Sequence, residues 1–163
     1  MSRNIDELND LDALQKLSVH FLQTIENLRK LFPNLVKVRK NSEELITLGF
    51  ELQYIYSICA IKVESALEHV LGIIKSPSSV DVRIRNAQRF VDEYHPRTDD
   101  SYETISLAII GSMKMIDNIF LDQVVVSWRK RTRNKVLVEY IENSFEEAKD
   151  KIDRMRDLIQ KKI

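Results

Sequence analysis

Proline stands at only three places in this chain, 33, 77 and 96, and glycine at only three, 49, 72 and 111. After Pro96 the sequence runs to Ile163 without another proline. Proline cannot continue a helix interior, and glycine weakens one by about 1 kcal/mol, so a chain this poor in both has few places to turn. Leu, Glu, Lys and Arg, all good helix formers, fill the stretches between. The expected fold is all-α: a bundle of four to five helices, with long C-terminal helices carrying a heptad seam. At 163 residues a single domain is the natural size. The punctuation predicts helices over about residues 4–31, 42–75, 79–94, 101–131 and 135–162.

Apolar spacing assigns each helix a face. In the first, Leu14, Leu17, Phe21, Ile25, Leu28 and Phe32 recur at three and four. Pro33 is expected to end it, and Asn34–Lys40 to form a loop over the core. Asn41-Ser42-Glu43-Glu44 reads as a capping box opening the second helix. That helix is apolar around much of its girth, through Leu45, Leu48, Leu52, Ile55, Cys59, Ala66 and Val70, widened by Ile46, Phe50, Ile58 and Ile61. It is expected at the bundle centre, with Tyr54 and Tyr56 at its rim. Val80, Ile84, Ala87, Val91 and Tyr94 give the third a stripe, opposite a charged ladder of Asp81, Arg85, Arg89 and Glu93.

Beyond a loop at 96–101, where Asp99, Asp100 or Ser101 is placed to cap the next helix, Ile109, Met113, Ile116, Phe120 and Val124 mark a further seam. Val138, Ile141, Phe145, Ala148, Ile152, Met155 and Ile159 then alternate spacings of three and four without a slip. Such a heptad serves packing within the bundle, or a coiled-coil dimer or partner helix joined through Val138, Ile141, Phe145, Ile152, Met155 and Ile159. One helix of about 60 residues would span ~90 Å, against a radius of gyration of ~15 Å for a compact domain. A break is therefore expected near Thr132-Arg133-Asn134.

Twenty-five Lys and Arg balance 25 Asp and Glu, so a nucleic-acid role needs a local patch. Trp128-Arg129-Lys130-Arg131-Thr132-Arg133-Asn134-Lys135 supplies one, with five cations in seven positions after the tryptophan. These cations suit phosphates, with the indole stacking on a base; an acidic protein partner or a solvated helix end would use the same residues. Lys37, Arg39 and Lys40 are candidates to join the patch. Ile105–Trp128 is the most apolar long stretch, but Lys114, Asp117 and Asp122 interrupt it, each costing about 2.5–3.5 kcal/mol near a bilayer centre, so no membrane partner is expected.

The polar N-terminus lacks a signal-peptide pattern, and the lone Cys59 excludes an intrachain disulfide, so an intracellular, cytoplasmic placement is expected. Cys59 reads as a small core residue and His20 as a satisfied boundary histidine. Glu64, Glu68 and His69 cluster on the second helix, but Glu-x-x-His occurs nowhere, so neither a metal site nor a cofactor is expected. Phosphate-cradling and nucleophile-elbow motifs are also missing.

Arg89-Phe90-Val91-Asp92-Glu93-Tyr94-His95 resembles the Arg-x4-6-His motif of HEPN ribonucleases, a family of all-helical domains. The resemblance implies Arg89 and His95 as catalytic residues acting on an RNA phosphodiester at a dimer cleft, without a metal. The position after the arginine, usually polar in that family, is Phe90 here, and Pro96 follows the histidine. The leading expectation is a non-enzymatic helical interaction or scaffold module, self-associating, with a basic patch for RNA or DNA formed by Trp128, Arg129, Lys130, Arg131, Arg133 and Lys135. A HEPN-like ribonuclease and an adaptor for an acidic protein are the alternatives.

Overall fold

A computed structural model describes residues 5–38, 41–71 and 101–160. Those residues are all-α: α1 (Ile5–Val36), α2 (Ser42–Leu71), α3 (Tyr102–Ile119), a π-helical turn (Phe120–Val125), α4 (Val126–Arg131) and α5 (Lys135–Gln160). The third predicted helix, with Pro77 and Pro96, lies outside the described residues.

The long helices form a four-cornered bundle. α1 packs on α2 and α3, and α5 closes the square against the same two. α1 faces α5, and α2 faces α3, across the diagonals. The expectation that α2 would be central is therefore corrected: each helix occupies a corner, and the outer side of α2 leaves Phe50, Tyr54 and Ile61 60–69% exposed. The most deeply sunk stripe belongs to α1, where Leu14, Leu17, Phe21, Leu28, Leu31 and Leu35 are all buried.

Pro33 does not end α1, which continues to Val36. Proline costs a helix about 3 kcal/mol by removing an N–H and crowding the preceding turn. Continuing the helix buries Leu35 completely, a gain of about 1.5–3 kcal/mol that nearly offsets it. Asn34 Nδ2 also donates to the Lys30 carbonyl at 3.0 Å within the same turn. Val38, two residues beyond α1, is then buried in the core.

At the next corner Asn41 takes a left-handed φ of 62°, which asparagine tolerates better than most residues. Its carbonyl accepts the first α2 hydrogen bond, from the Leu45 N–H. Its amide nitrogen donates to the Leu158 carbonyl at 3.4 Å, tying the connector to the end of α5. α1 and α2 approach closely at Gly49, where a Cβ would stand 2.8 Å from Phe32 Cε1.

α3 opens at Ser101, whose hydroxyl accepts the Thr104 N–H at 3.1 Å. Its buried line is Ser106, Ile110, Met113 and Asp117; of the predicted seam Met113 is buried and Ile109, Phe120 and Val124 are half-buried against the core, while Ile116 is 36% exposed. Of the two polar residues in that line, Asp117 turns inward because the interior holds hydrogen-bond partners for it. In an ideal helix Val125 would lie about 80° around the axis from Asp117, eight residues earlier. The π turn, closed by an N–H from Val126 to the Leu121 carbonyl, absorbs this phase difference. Val125 and Trp128 accordingly return to the core.

The rod stops at Thr132, which is extended (φ −82°, ψ 151°), and the chain reverses into α5. Thr132 Oγ1 accepts the Asn134 N–H at 3.0 Å, and Asn134 Oδ1 accepts the Leu137 N–H at 3.3 Å. This pair of side-chain caps makes the turn without glycine or proline. Along α5, Val138, Ile141, Phe145, Ala148, Ile152 and Met155 are buried, with Ile159 half-buried behind Leu158. The heptad seam faces α2 and α3 within the chain and is covered there.

Candidate functional site

Three surfaces or clusters have chemical or binding potential: the basic corner, a polar network in the core, and two uncovered apolar faces.

The corner is where α4 ends and α5 begins. Lys130, Arg131, Arg133 and Lys135 are exposed there. Arg129 pairs with Glu142 at 2.8 Å, and Lys135 Nζ donates to the Arg129 carbonyl, a cation at a helix C-terminus. The helix break keeps Arg131 and Lys135 off one continuous helical face, relieving the like-charge cost that an unbroken helix would carry. Trp128 corrects the expectation of a stacking platform. It is 3% exposed, and its indole N–H donates to Asp10 Oδ1 at 2.6 Å, anchoring α4 to α1. Lys37 lies elsewhere, with Nζ 4.9 Å from the Tyr102 ring centre at the start of α3. About 30 helical residues, ~45 Å, separate that end from the corner. Arg39 and Lys40 lie outside the described residues, as do Arg89 and His95.

Beside the corner, a cleft of about 900 Å³ opens between α2 and α5. Leu14, Ala66 and Leu137 are among the residues lining it, with Lys62, His69 and Arg133 supplying positive or titratable groups. Lys62 Nζ sits 4.7 Å over the Tyr140 ring, a cation–π contact at the same cleft.

The polar network sits at mid-bundle. His20 Nε2 lies 2.7 Å from Asp117 Oδ1, and the Tyr56 hydroxyl donates to Asp117 Oδ2 at 2.6 Å. The Nε2–H tautomer of His20 would donate to Oδ1 as the Tyr56 hydroxyl does to Oδ2. All three residues are buried, at 4%, 6% and 1% exposure for His20, Asp117 and Tyr56. They join α1, α3 and α2, and Phe145 of α5 stacks on His20 at 5.8 Å, so all four corners meet in this layer. Phe120, the first residue of the π turn, also stacks on the His20 ring, at 4.2 Å. Burial, then the charge of Asp117, pushes the Tyr56 hydroxyl well above the ordinary tyrosine pKa. His20 is thus satisfied, but in the interior rather than at the boundary, and Tyr56 is core rather than rim.

Cys59 is fully buried, and burial pushes its thiol up to about 11. At neutral pH it is a protonated, unreactive side chain. Among the described residues no three His, Cys, Asp or Glu side chains gather at a metal-binding spacing.

Two apolar faces lie open on the bundle. Every exposed residue of α3 is uncharged: Tyr102, Thr104, Ala108, Ser112, Met115, Ile116, Asn118 and Ile119. α5 is largely charged on its outer side, exposing Glu139, Glu146, Glu147, Lys149, Asp150, Arg154 and Asp157, with Val136 and Tyr140 exposed near its start. Tyr102–Arg131 is long and apolar enough to cross a membrane by length and composition, and only 22% of its most apolar window is buried. Its charges, however, serve the bundle. Asp117 holds the core network, and Lys114 pairs with Asp153 of α5 at 2.5 Å. Because α2 and α3 sit on a diagonal, the Phe50–Tyr54–Ile61 stripe and the α3 face lie on opposite corners of the bundle, the α2 stripe bordering grooves toward α5. Sequence periodicity carries a signal for both stripes, an excess of apolar residues around α2 and α3, but it does not say which side is covered.

Comparison with protein-family models, with curated proteins and with solved structures gives no match. The functional reading therefore rests on the side chains themselves.

Proposed function

We propose that the chain is a non-enzymatic helical interaction module, a scaffold that engages partners through two apolar faces on opposite sides of one bundle. The observation that carries this reading is the pair of uncovered stripes: Phe50, Tyr54 and Ile61 on α2, and Met115, Ile116, Ile119 and Val126 on α3 and its continuation, all 36–69% exposed. Isolated exposed apolar residues are ordinary, but contiguous stripes of this kind mark interaction sites. A rigid four-cornered bundle with such stripes on diagonal helices is built to bridge. Photo-crosslinking from positions 54 and 115 of the full chain in its host cell tests it. Adducts are expected from both positions and not from Asp150 on the charged face of α5; equal labelling at all three positions, or none at 54 and 115, would refute the module reading.

A second reading concerns the basic corner. Exposed Lys130, Arg131, Arg133 and Lys135 flank the cleft lined by Lys62 and His69, which favours a phosphate-bearing partner such as RNA or DNA. Binding to a single-stranded oligonucleotide should weaken steeply with salt. Reversing Lys130, Arg131 and Arg133 to glutamate should lower the log–log salt slope by about 2, given ~0.7 per phosphate contact on a single strand. Affinity indifferent to both salt and the triple variant would dismiss this reading. Equal competition by an acidic polypeptide would move the assignment to an acidic protein partner.

A further inference from the structure

The uncharged outer face of α3 can be covered by lipid, by an unrelated apolar surface, or by itself. Lipid-spanning use is disfavoured by the bundle: pulling α3 into a bilayer would strip Asp117 from His20 and Tyr56, and Lys114 from Asp153. Resting on the interaction-module reading, we propose that this face pairs with the α3 of a second copy of the chain, antiparallel about a two-fold axis at Gly111–Ser112.

Gly111 stands at the middle of α3 (Tyr102–Ile119), where glycine is the worst non-proline choice for a helix. Nothing among the described residues requires it, since a Cβ built there meets none of their atoms within 4 Å. Gly49 is the contrast, because there the neighbouring Phe32 ring occupies the space. A close approach from beyond the described residues accounts for the missing side chain at 111. Ala108 and Ser112, both exposed, extend the small-residue surface on the same side of the helix.

An antiparallel pairing centred there is self-complementary, as a two-fold interface requires. Ser112 of one copy faces Gly111 of the other, Met115 faces Ala108, and Ile119 faces Thr104, so large residues meet small ones. Asp122 comes opposite Ser101, the residue that opens the other copy's α3, where a helix N-terminus favours negative charge. Among the described residues, the exposed positions of α3 carry no charge, so none of them forms a like-charge pair along the seam. The face from Tyr102 to Val126 is ~36 Å long and about 10 Å wide, a footprint of a few hundred Å². A standard interface buries ~800 Å² per partner, so the dimer is weak and reversible, in the micromolar range or above.

Sedimentation velocity of the full chain from about 5 to about 500 µM tests this, a range spanning the affinities expected of a small interface. A monomer–dimer equilibrium is expected. Met115→Glu/Ile119→Glu should leave only monomer, with helix content unchanged by circular dichroism. Gly111→Leu, whose side chain would project into open space in the protomer, should fold normally and weaken dimerisation at least tenfold. Phe50→Glu/Tyr54→Glu on the opposite face should leave the dimer intact. A wild-type monomer across the whole range overturns the proposal. If the α2 variant rather than the α3 variant abolishes the dimer, the α3 assignment falls while the module reading stands. Flotation of the wild type with phosphatidylcholine vesicles, lost in the α3 variant, would overturn it in favour of a lipid surface.

Discussion

Replacing Asp117 with alanine removes the one acceptor shared by two buried donors. The His20 ring and the Tyr56 hydroxyl reach it over 2.7 and 2.6 Å in a layer where none of the three is more than 6% exposed. Each donor left without a partner costs about 1–3 kcal/mol, and water has little access to replace the carboxylate. The carboxylate's own desolvation cost disappears with it, so the net loss should be about 3–4 kcal/mol, within the range for breaking a buried polar pair. For a chain of this size that lowers the melting temperature by roughly 6–15 °C. Tyr56→Phe removes one bond to a charged group and should cost about 1.5–3 kcal/mol. The triple replacement His20→Phe/Asp117→Leu/Tyr56→Phe should be less destabilising than Asp117→Ala alone, because no orphaned polar group remains. Urea unfolding followed by circular dichroism measures all three variants. A loss below about 1 kcal/mol for Asp117→Ala, or a triple variant worse than the single, would refute the claim that the network is buried and mutually satisfied.

Other outcomes rest on the same structure. Cys59, with a thiol raised from 9.0 to about 11, favours the folded state fully below pH 9 and loses that contribution as pH rises toward 11. The unfolded chain deprotonates first, so stability should fall by about 2–3 kcal/mol across that window, with Tyr56 adding in the same direction; flat urea midpoints from pH 8.5 to 11 would count against it. Gly111→Ala should stabilise the monomeric protomer by up to about 1 kcal/mol. Gly49→Ala should bring no gain, because its Cβ displaces the Phe32 ring from its 4.8 Å contact with Phe50; equal melting temperatures for the two variants would contradict this. Asn134→Ala removes the cap at the start of α5 and should cost about 1 kcal/mol, read from the same denaturation series, with Asn134→Asp recovering most of it.

The helical class and the reversal at Thr132–Asn134 were legible in the residues. So was the C-terminal heptad, whose buried positions from Val138 to Met155 match the predicted seam. These are consequences of local chemistry: helix propensity, the 3.6-residue period, and a rod too long for its core. For the candidate surface, the residues located the cations at 129–135 but not their setting, since Trp128 reads equally well as a platform or an anchor until Asp10 appears beside it. The tertiary structure alone decided what depends on distant partners. Asp117 faces inward because His20 lies 97 residues away in sequence and 2.7 Å away in space, and Tyr56 joins it across 61 residues. Pro33 stays within α1 because burying Leu35 against other helices nearly offsets its cost. The α2 and α3 stripes are exposed because four helices in a square each keep one side outward, and no period in a single helix says which side that is.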